Sequence, residues 1–419
     1  MTRSGQNTGY RIGILTPSLA GQGAERVALS LGNGLLERGH NVDFLLQRFI
    51  CHYPDEIPEK ARVFYISNRG DDRTRKNLRH VTANHGPFFT EPHPWRARYP
   101  RIKLVTRLHP KQLSLLMSTR LPRWAIGIAT YVDRESPHAL LAMNVLAAAA
   151  SAMALRVTHQ RTRVVAGLHE PLKYGRILRR ARCAYPYANS IVGVSHGVST
   201  EFAKIPDIRR SRTHVIYNPV FSEYLMQKSL ESTDHPWLNS IESPVIISVG
   251  KLIKRKDFSC LLAAFAKLRS WRPARLIVLG EGRLRRKLLS LAQKLKVVED
   301  VDFHGFLENP YSFLAKANLF VLSSRNEALP TVLIEAMACG CPVVSTDCPF
   351  GPREILENGK YGTLVPVGDS EALATAMANT LDQPPRRDTL RKRASFFNME
   401  RALEQYERLL LVEDNNDFL

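Results

Sequence analysis

The sequence predicts an α/β protein of two domains, each built on a parallel sheet. Three observations carry this. Strand-length apolar runs alternate with runs of helical period, and such alternation is the signature of parallel strands joined by crossover helices. The pattern lapses into a polar stretch after Tyr217-Asn218-Pro219 and resumes at Ser243, which gives two α/β series and places a linker between them. With 419 residues, 44% of them hydrophobic, the chain has enough apolar material for two cores, which argues against a disordered chain. The domains are placed at 1–222 and 223–399.

The elements follow in order. Tyr10–Thr16 is a compact apolar strand. Pro17–Gly23 has the Pro, Ser and Gly content of a loop. Ala24–Arg38 repeats Val27, Leu31 and Leu35 at helical spacing, Gly39 supplies a stop, and Asn41–Leu46 is the next strand. From Asp55 to Trp124 the periodicity is weak, and that stretch is read as holding an insertion. Regular structure returns with a strand at Ala139–Ala142, a helix at Val145–Arg156, and strands at Arg163–Gly167 and Ser190–Val194. In the second series, strands are expected at Val245–Val249, Ala274–Leu279, Val301–His304, Leu319–Ser323 and Pro342–Thr346. Helices are expected at Phe258–Leu268, Arg283–Leu295, Pro310–Lys316, Thr331–Cys339 and, last, Glu400–Val412.

The net charge is +20, and its distribution says more than its size. Residues 1–220 hold 33 Lys and Arg against 14 Asp and Glu, a net of +19, while the remainder is nearly neutral at +1. Most of the excess lies in Arg69–Arg123 and Arg156–Arg182. A one-sided basic field attracts nucleic acid, anionic lipid or a phosphorylated substrate. The six cysteines form neither a C-x-x-C pair nor a Cys/His cluster, so free thiols in a reducing, cytosolic compartment are expected. The polar opening MTRSGQNTGY does not read as a signal peptide, and the longest apolar run, Ala139–Leu155, is short for a membrane span.

The segment Ser323–Ser345, SSRNEALPTVLIEAMACGCPVVS, carries the most chemistry. It reads strand, loop, helix, strand. Glu327 falls in the loop and Glu335 eight residues on, in the helix. Pro330 sits at the helix start, where free N–H groups suit a phosphate. Two carboxylates beside a phosphate make sense if they accept hydrogen bonds from the hydroxyls of a sugar and a ribose. Taken singly, each has an ordinary reading as a helix-start or surface-helix residue.

This segment resembles the E-x(7)-E signature of retaining GT-B glycosyltransferases of family 4. The resemblance is nearly letter for letter over Glu335-Ala336-Met337-Ala338-Cys339-Gly340-Cys341-Pro342-Val343-Val344. Further blocks fall in family order: Gly21-Gln22-Gly23-Ala24-Glu25-Arg26, Val194-Ser195, Tyr217-Asn218-Pro219, Gly250-Lys251-Leu252 with Lys256, Gly280-Glu281-Gly282, Phe303-His304-Gly305-Phe306 and Gly351-Pro352-Arg353-Glu354. The resemblance implies two Rossmann-like α/β/α domains facing each other across a cleft, with the last helix, 400–415, returning to the first. It implies transfer of a sugar from a nucleotide-sugar, expected to be a UDP-sugar, with retention at the anomeric carbon. Glu335 is then expected to hold the donor ribose and Glu327 a hydroxyl of the donor sugar. Lys251 and Lys256 neutralise the leaving diphosphate, and His169 lies near the reacting carbon, with Glu170 beside it and His109 a rival. Gly21, Gly23 and Gly250 allow backbone approach, Gly280 and Phe306 lie near the base, and Leu329, Thr331, Val332 and Leu333 form the helix start.

Two departures matter. Lys251 stands where the family usually has Arg, so a planar fork becomes a point charge. Leu329-Pro330-Thr331-Val332 replaces the family's F-G-L-P, so the identity of the sugar does not carry over. Asp300-Val301-Asp302 is a D-x-D string away from the glutamate pair and is read as coincidental, with no metal expected; no nicotinamide fingerprint follows the first strand. The basic first half, interleaved with Trp95, Tyr99 and Trp124, suggests a glycan or lipid-linked acceptor at an anionic membrane surface, the inner face of a cytoplasmic membrane. The alternatives are a non-catalytic partner subunit of the same fold or a basic nucleic-acid-binding protein, and no nucleic-acid-binding motif supports the latter.

Overall fold

A computed structural model describes residues 9–19, 23–47, 57–66, 121–156, 158, 160–169, 185–202, 204–205, 208 and 212–412. It divides into two compact units. One comprises Met1–Val194, Val198–Ile216 and Ala402–Leu419, the other Ser195–Gly197 and Tyr217–Arg401.

The first unit holds a seven-stranded sheet: β1 (Arg11–Thr16), β2 (Asn41–Leu46), β3 (Arg62–Tyr65), β4 (Ala139–Ala142), β5 (Arg163–Leu168), β6 (Ser190–Gly193) and β7 (Thr213–Val215). Their order is β3-β2-β1-β4-β5-β6-β7, and every pairing is parallel. The central strands are buried on both faces, which is why they read as unbroken apolar runs rather than as alternation. The helix Gly23–Glu37 buries Val27, Leu31 and Leu35, the stripe its spacing predicts. The helix Val145–Ala154 starts where the Asn144 side chain accepts the N–H groups of Leu146 and Ala147, both at 2.9 Å.

One buried carboxylate anchors this sheet. Asp43, 1% exposed, accepts from Nε and Nη2 of Arg62 at 2.8 Å each and from the Tyr131 hydroxyl at 2.7 Å. Arg11 adds a contact at 3.2 Å, and Arg62 reaches on to Glu135 at 2.6 Å. The end of the last helix, Met399–Leu410, also belongs here. Glu407 accepts from Arg38 and pairs with His40, and the Arg163 guanidinium donates to the Leu409 carbonyl at 2.6 Å.

The second unit holds six parallel strands: β8 (Val245–Val249), β9 (Arg275–Leu279), β10 (Val301–Gly305), β11 (Leu319–Leu322), β12 (Val343–Thr346) and β13 (Thr363–Val365). Their order is β10-β9-β8-β11-β12-β13. One apolar core joins the helix Phe258–Trp271, through Leu261, Phe265 and Leu268, to Ile246, Leu276 and Val278 of the sheet and to Leu373 and Met377 of the helix Ser370–Asp382.

Some expectations change. The polar stretch read as a linker contains the helix Glu223–Ser229, capped by the Ser222 side chain on the Leu225 N–H, and a short turn at Pro236–Asn239. Only Leu225 and Ser229 of that helix are buried, so its sequence carries almost no apolar period. A helix not expected from the sequence, Arg387–Ala394, is held by Leu390 and Ala394. The stretch from Asp55 to Trp124 includes β3 and the start of the helix Leu121–Glu135; most of it, 67–120, lies outside the described residues.

Candidate functional site: the carboxyl edge of the second sheet

β8 and β11 are neighbours, and from them the chain winds to opposite sides, through β9 and β10 one way and β12 and β13 the other. The loops leaving their carboxyl ends therefore diverge, and open α/β sheets bind ligands at such a switch point. Those two loops are residues 250–257 and 323–330, the segments that carry Lys251, Lys256 and Glu327.

Side-chain and backbone bonds stitch the loops together. After β8 the chain makes a 3-10 turn at Lys254–Lys256 and then passes through Asp257 in the left-handed region, φ 46°. The Ser323 hydroxyl donates to the Lys256 carbonyl at 2.9 Å, and the Arg325 N–H donates to the Arg255 carbonyl at 2.8 Å. Arg325 then pairs with Asp257 at 2.6 Å.

Glu327 is the focus of this stitching and is 5% exposed. Its Oε1 accepts from Lys256 Nζ at 2.6 Å and from the Ser324 hydroxyl at 2.7 Å. Its Oε2 accepts from Arg255 Nη1 at 3.1 Å. Burial alone would push this carboxyl up, but the charges of Lys256 and Arg255 and the bonds from Lys256 and Ser324 outweigh it and hold the group below the ordinary carboxylate range. Glu327 is thus an ionised acceptor held in a nearly dry place. The spacing of the motif pointed to Glu327 and Lys256 separately; the fold brings them into contact. Arg255 and Ser324 were not singled out from the sequence. Arg255 adjoins Lys256 in the run Lys254-Arg255-Lys256, which alone reads as a solvated basic turn.

The floor of the site is backbone. The Gly280 N–H donates to the Gly305 carbonyl at 2.6 Å, and the Gly250 N–H donates to the Leu279 carbonyl at 2.9 Å. A Cβ on Gly280 would fall 2.1 Å from the Gly250 oxygen, so no other residue fits there. Gly250 lies against the aliphatic stem of Lys256. Lys251 is exposed, and among the described residues its ammonium makes no hydrogen bond or ion pair. Phe306, just past β10, is 69% exposed.

The helix Thr331–Ala338 begins after Pro330. The Leu333 N–H is already bonded to the Pro330 carbonyl at 3.0 Å, and its side chain is fully buried, so Thr331 and Val332, both half-buried, are the accessible part of the first turn. Leu329 is 7% exposed. Glu335 is half-buried one turn further on. The helix ends in a Schellman motif: the Cys341 N–H bonds to the Ala336 carbonyl and the Gly340 N–H to the Met337 carbonyl, both at 2.9 Å, with Gly340 at φ 76°.

In the first unit, His169 directly follows β5, and a side chain at Gly167 would meet its Nε2 at 3.2 Å. Gly23 opens the first helix and is exposed; Gly21, His109 and Glu170 lie outside the described residues. Cys260, Cys339, Cys341 and Cys348 are free and buried, and burial pushes Cys339 and Cys348 each up to about 12.

The D-x-D string has other partners. Asp300 pairs with Arg269 at 2.7 Å and Arg275 at 2.5 Å. Asp302 meets His235 Nε2 and His304 Nδ1, both at 3.1 Å, a grouping that among the described residues has the composition of a cation site. Nδ1 of His235 accepts the Trp237 N–H at 3.3 Å, which leaves the proton on Nε2, pointed at Asp302. A metal-bound histidine has the reverse arrangement, its other nitrogen donating, so the three residues read as a hydrogen-bonded cluster.

Parts of the chain are similar to known proteins. Residues 233–395 match the family described as glycosyl transferases group 1. A Campylobacter jejuni N-acetylgalactosamine-N,N'-diacetylbacillosaminyl-diphospho-undecaprenol 4-alpha-N-acetylgalactosaminyltransferase is 34% identical over 208 residues, 50% of this chain and 54% of that one. The lipopolysaccharide core biosynthesis glycosyltransferase LpsE of Rhizobium meliloti is 35% identical over 172 residues, 41% of this chain and 48% of that one. The matched region thus spans about half the length of these curated relatives. Across nearly the whole molecule, 96% of this chain and 99% of the other, the fold superposes on Anabaena Alr3699/HepE in complex with UDP and glucose, with a TM-score of 0.69 at 20% identity. Two parallel α/β units, the glutamate-bearing loop and helix at the second sheet's switch point, and these matches agree: the chain has the GT-B fold, and its residues 233–395 match the glycosyl transferases group 1.

Proposed function

We propose that this protein is a retaining glycosyltransferase that moves a sugar from a UDP-sugar to a glycan or lipid-linked acceptor in bacterial surface polysaccharide or glycan assembly. The observation that carries this reading is the buried, ionised Glu327 clamped by Lys256 and Arg255 at the switch point. An ionised carboxylate accepts strongly from a sugar hydroxyl, and cations beside it suit a diphosphate. Glu335 takes the ribose hydroxyls, the accessible N–H groups at Thr331 and Val332 face the phosphates, and Gly280 and Phe306 border the base.

In the reaction, the bond from the anomeric carbon to the phosphate oxygen breaks as the acceptor oxygen bonds to that carbon from the same face. The electron pair leaves with UDP, and the leaving phosphate oxygen takes the acceptor's proton. Lys256 and Lys251 neutralise the charge that develops on the diphosphate. The cations do for the diphosphate what a metal does elsewhere, and both aspartates of the D-x-D string already have partners, so transfer is expected to proceed without a divalent ion.

The relatives support the acceptor class: one is named for an undecaprenol-linked saccharide, another for lipopolysaccharide core synthesis. The structure superposed above holds UDP. The test is incubation with a panel of UDP-sugars and lipid-linked acceptors, with the anomeric configuration of the product read by NMR, repeated in excess EDTA after dialysis. An inverted product, no turnover with any donor, or a loss in EDTA that Mg²⁺ restores would each overturn the corresponding part.

A further inference from the structure

We propose that Arg255 is a positioning residue that keeps Glu327 ionised and aimed while Lys256 serves the diphosphate; the role rests on the donor reading above. The geometry assigns the two cations different oxygens of one carboxylate, Lys256 on Oε1 and Arg255 on Oε2. Lys256 is a flexible point charge whose Nζ turns readily towards a phosphate. Arg255 is tied down. Its Nη1 also donates to the Asn326 carbonyl at 3.3 Å, and its own carbonyl accepts the Arg325 N–H at 2.8 Å. Both ends of Arg255 thus grip the loop that carries Glu327, whose side chain is 6% exposed.

A carboxylate so buried takes up a proton when it has no cation. When a diphosphate draws on Lys256, the remaining neighbours of Glu327 must supply the charge. Ser324 is neutral, and the Cys348 thiol is held protonated by burial. Arg325 is 60% exposed and committed to Asp257. Arg255 remains, and a guanidinium stays charged at every working pH. It frees Lys256 for the leaving group and preserves Glu327 as an acceptor for the sugar.

The test uses the full chain with R255A, R255K, K256A, E327Q and the double variant R255A/E327Q. In urea unfolding at pH 7, R255A is expected to shift the folding equilibrium at least tenfold towards the unfolded state in wild type, but less than threefold in the E327Q background. UDP, which lacks the sugar, is expected to bind R255A within threefold of wild type and K256A at least tenfold more weakly. With a UDP-sugar that the wild type turns over, R255A should move the acid limb of kcat/KM to higher pH, and R255K should restore it. Equal destabilisation in both backgrounds, or an unmoved acid limb, overturns the positioning role. A loss of UDP affinity in R255A equal to that in K256A makes Arg255 a phosphate ligand instead. Absence of UDP binding by the wild type overturns the donor reading, and the unfolding cycle still decides separately whether Arg255 and Glu327 are coupled.

Discussion

Glu327 shows how a residue keeps its charge in a place that disfavours charge. Its folded pKa lies below the ordinary carboxylate value of 4.5, so its ionised form contributes stability above that value. The contribution is lost as pH falls through the lower, folded pKa. Urea titrations should therefore find E327Q less stable than wild type by a constant margin above pH 4.5, with the margin shrinking below it. A margin that does not depend on pH would mean that Glu327 is not held ionised by its neighbours. On the proposed function, two further residues act on the donor directly. K256A and E335A should each reduce transfer by about 10²–10³, the size of one lost charge-assisted contact in a transition state, roughly 2.7–4 kcal/mol. Their circular dichroism should match wild type. Activity within threefold of wild type in a folded variant would remove that residue from the mechanism.

At the scale of elements, the helix Thr331–Ala338 owes its position to its ends. Pro330 starts it, and Gly340 turns the chain in the left-handed region so that Cys341 can bond back to Ala336. An alanine at position 340 meets that strain and also falls 3.2 Å from the Arg387 Cβ. G340A should destabilise by about 1–2 kcal/mol, measured by chemical unfolding. In the first unit the comparable joint is Asp43, which ties β1, β2, β3 and the helix Leu121–Glu135 through Arg11, Arg62 and Tyr131. D43A leaves two guanidinium groups and a buried hydroxyl without their common acceptor. It should destabilise by about 3–5 kcal/mol, the range for breaking a buried pair, with little effect on nucleotide affinity.

At the scale of the whole molecule, charge and sheet topology divide the labour. The second unit supplies the switch point with its glutamates and cations, while the +19 of residues 1–220 gives the first half a field that the second half lacks. Among the described residues no helix is long and apolar enough to cross a membrane. Each Lys or Arg near an anionic surface contributes about 1 kcal/mol, so four or five together would hold the protein there. Screening confines that field to about 8 Å at physiological salt. Flotation should show binding to anionic vesicles that falls steeply with salt, and reversing Arg96, Arg98 and Arg101 together should weaken it while UDP affinity stays unchanged. Equal recovery with neutral and anionic vesicles would rule out electrostatic recruitment.

Much of this was legible in the sequence, because periodicity and glycine placement are local properties. The strands Asn41–Leu46, Ala139–Ala142 and Val245–Val249 fall where the apolar runs end, since buried parallel strands need no partner to be recognised. The helix Glu223–Ser229 was hidden because its stability comes from a cap and two buried residues rather than from an apolar stripe. The E-x(7)-E spacing singled out Glu327 and Glu335 as candidates, but Lys256 and Glu327 are 71 residues apart, and no local pattern records that they touch. That contact exists because β8 and β11 are hydrogen-bonded neighbours whose loops leave the same sheet edge. Sequence determined the elements and the residue types at the site; tertiary structure decided which charges share a carboxylate. Pairing of distant strands is a long-range event, and only after it forms does burial make Glu327 depend on Arg255.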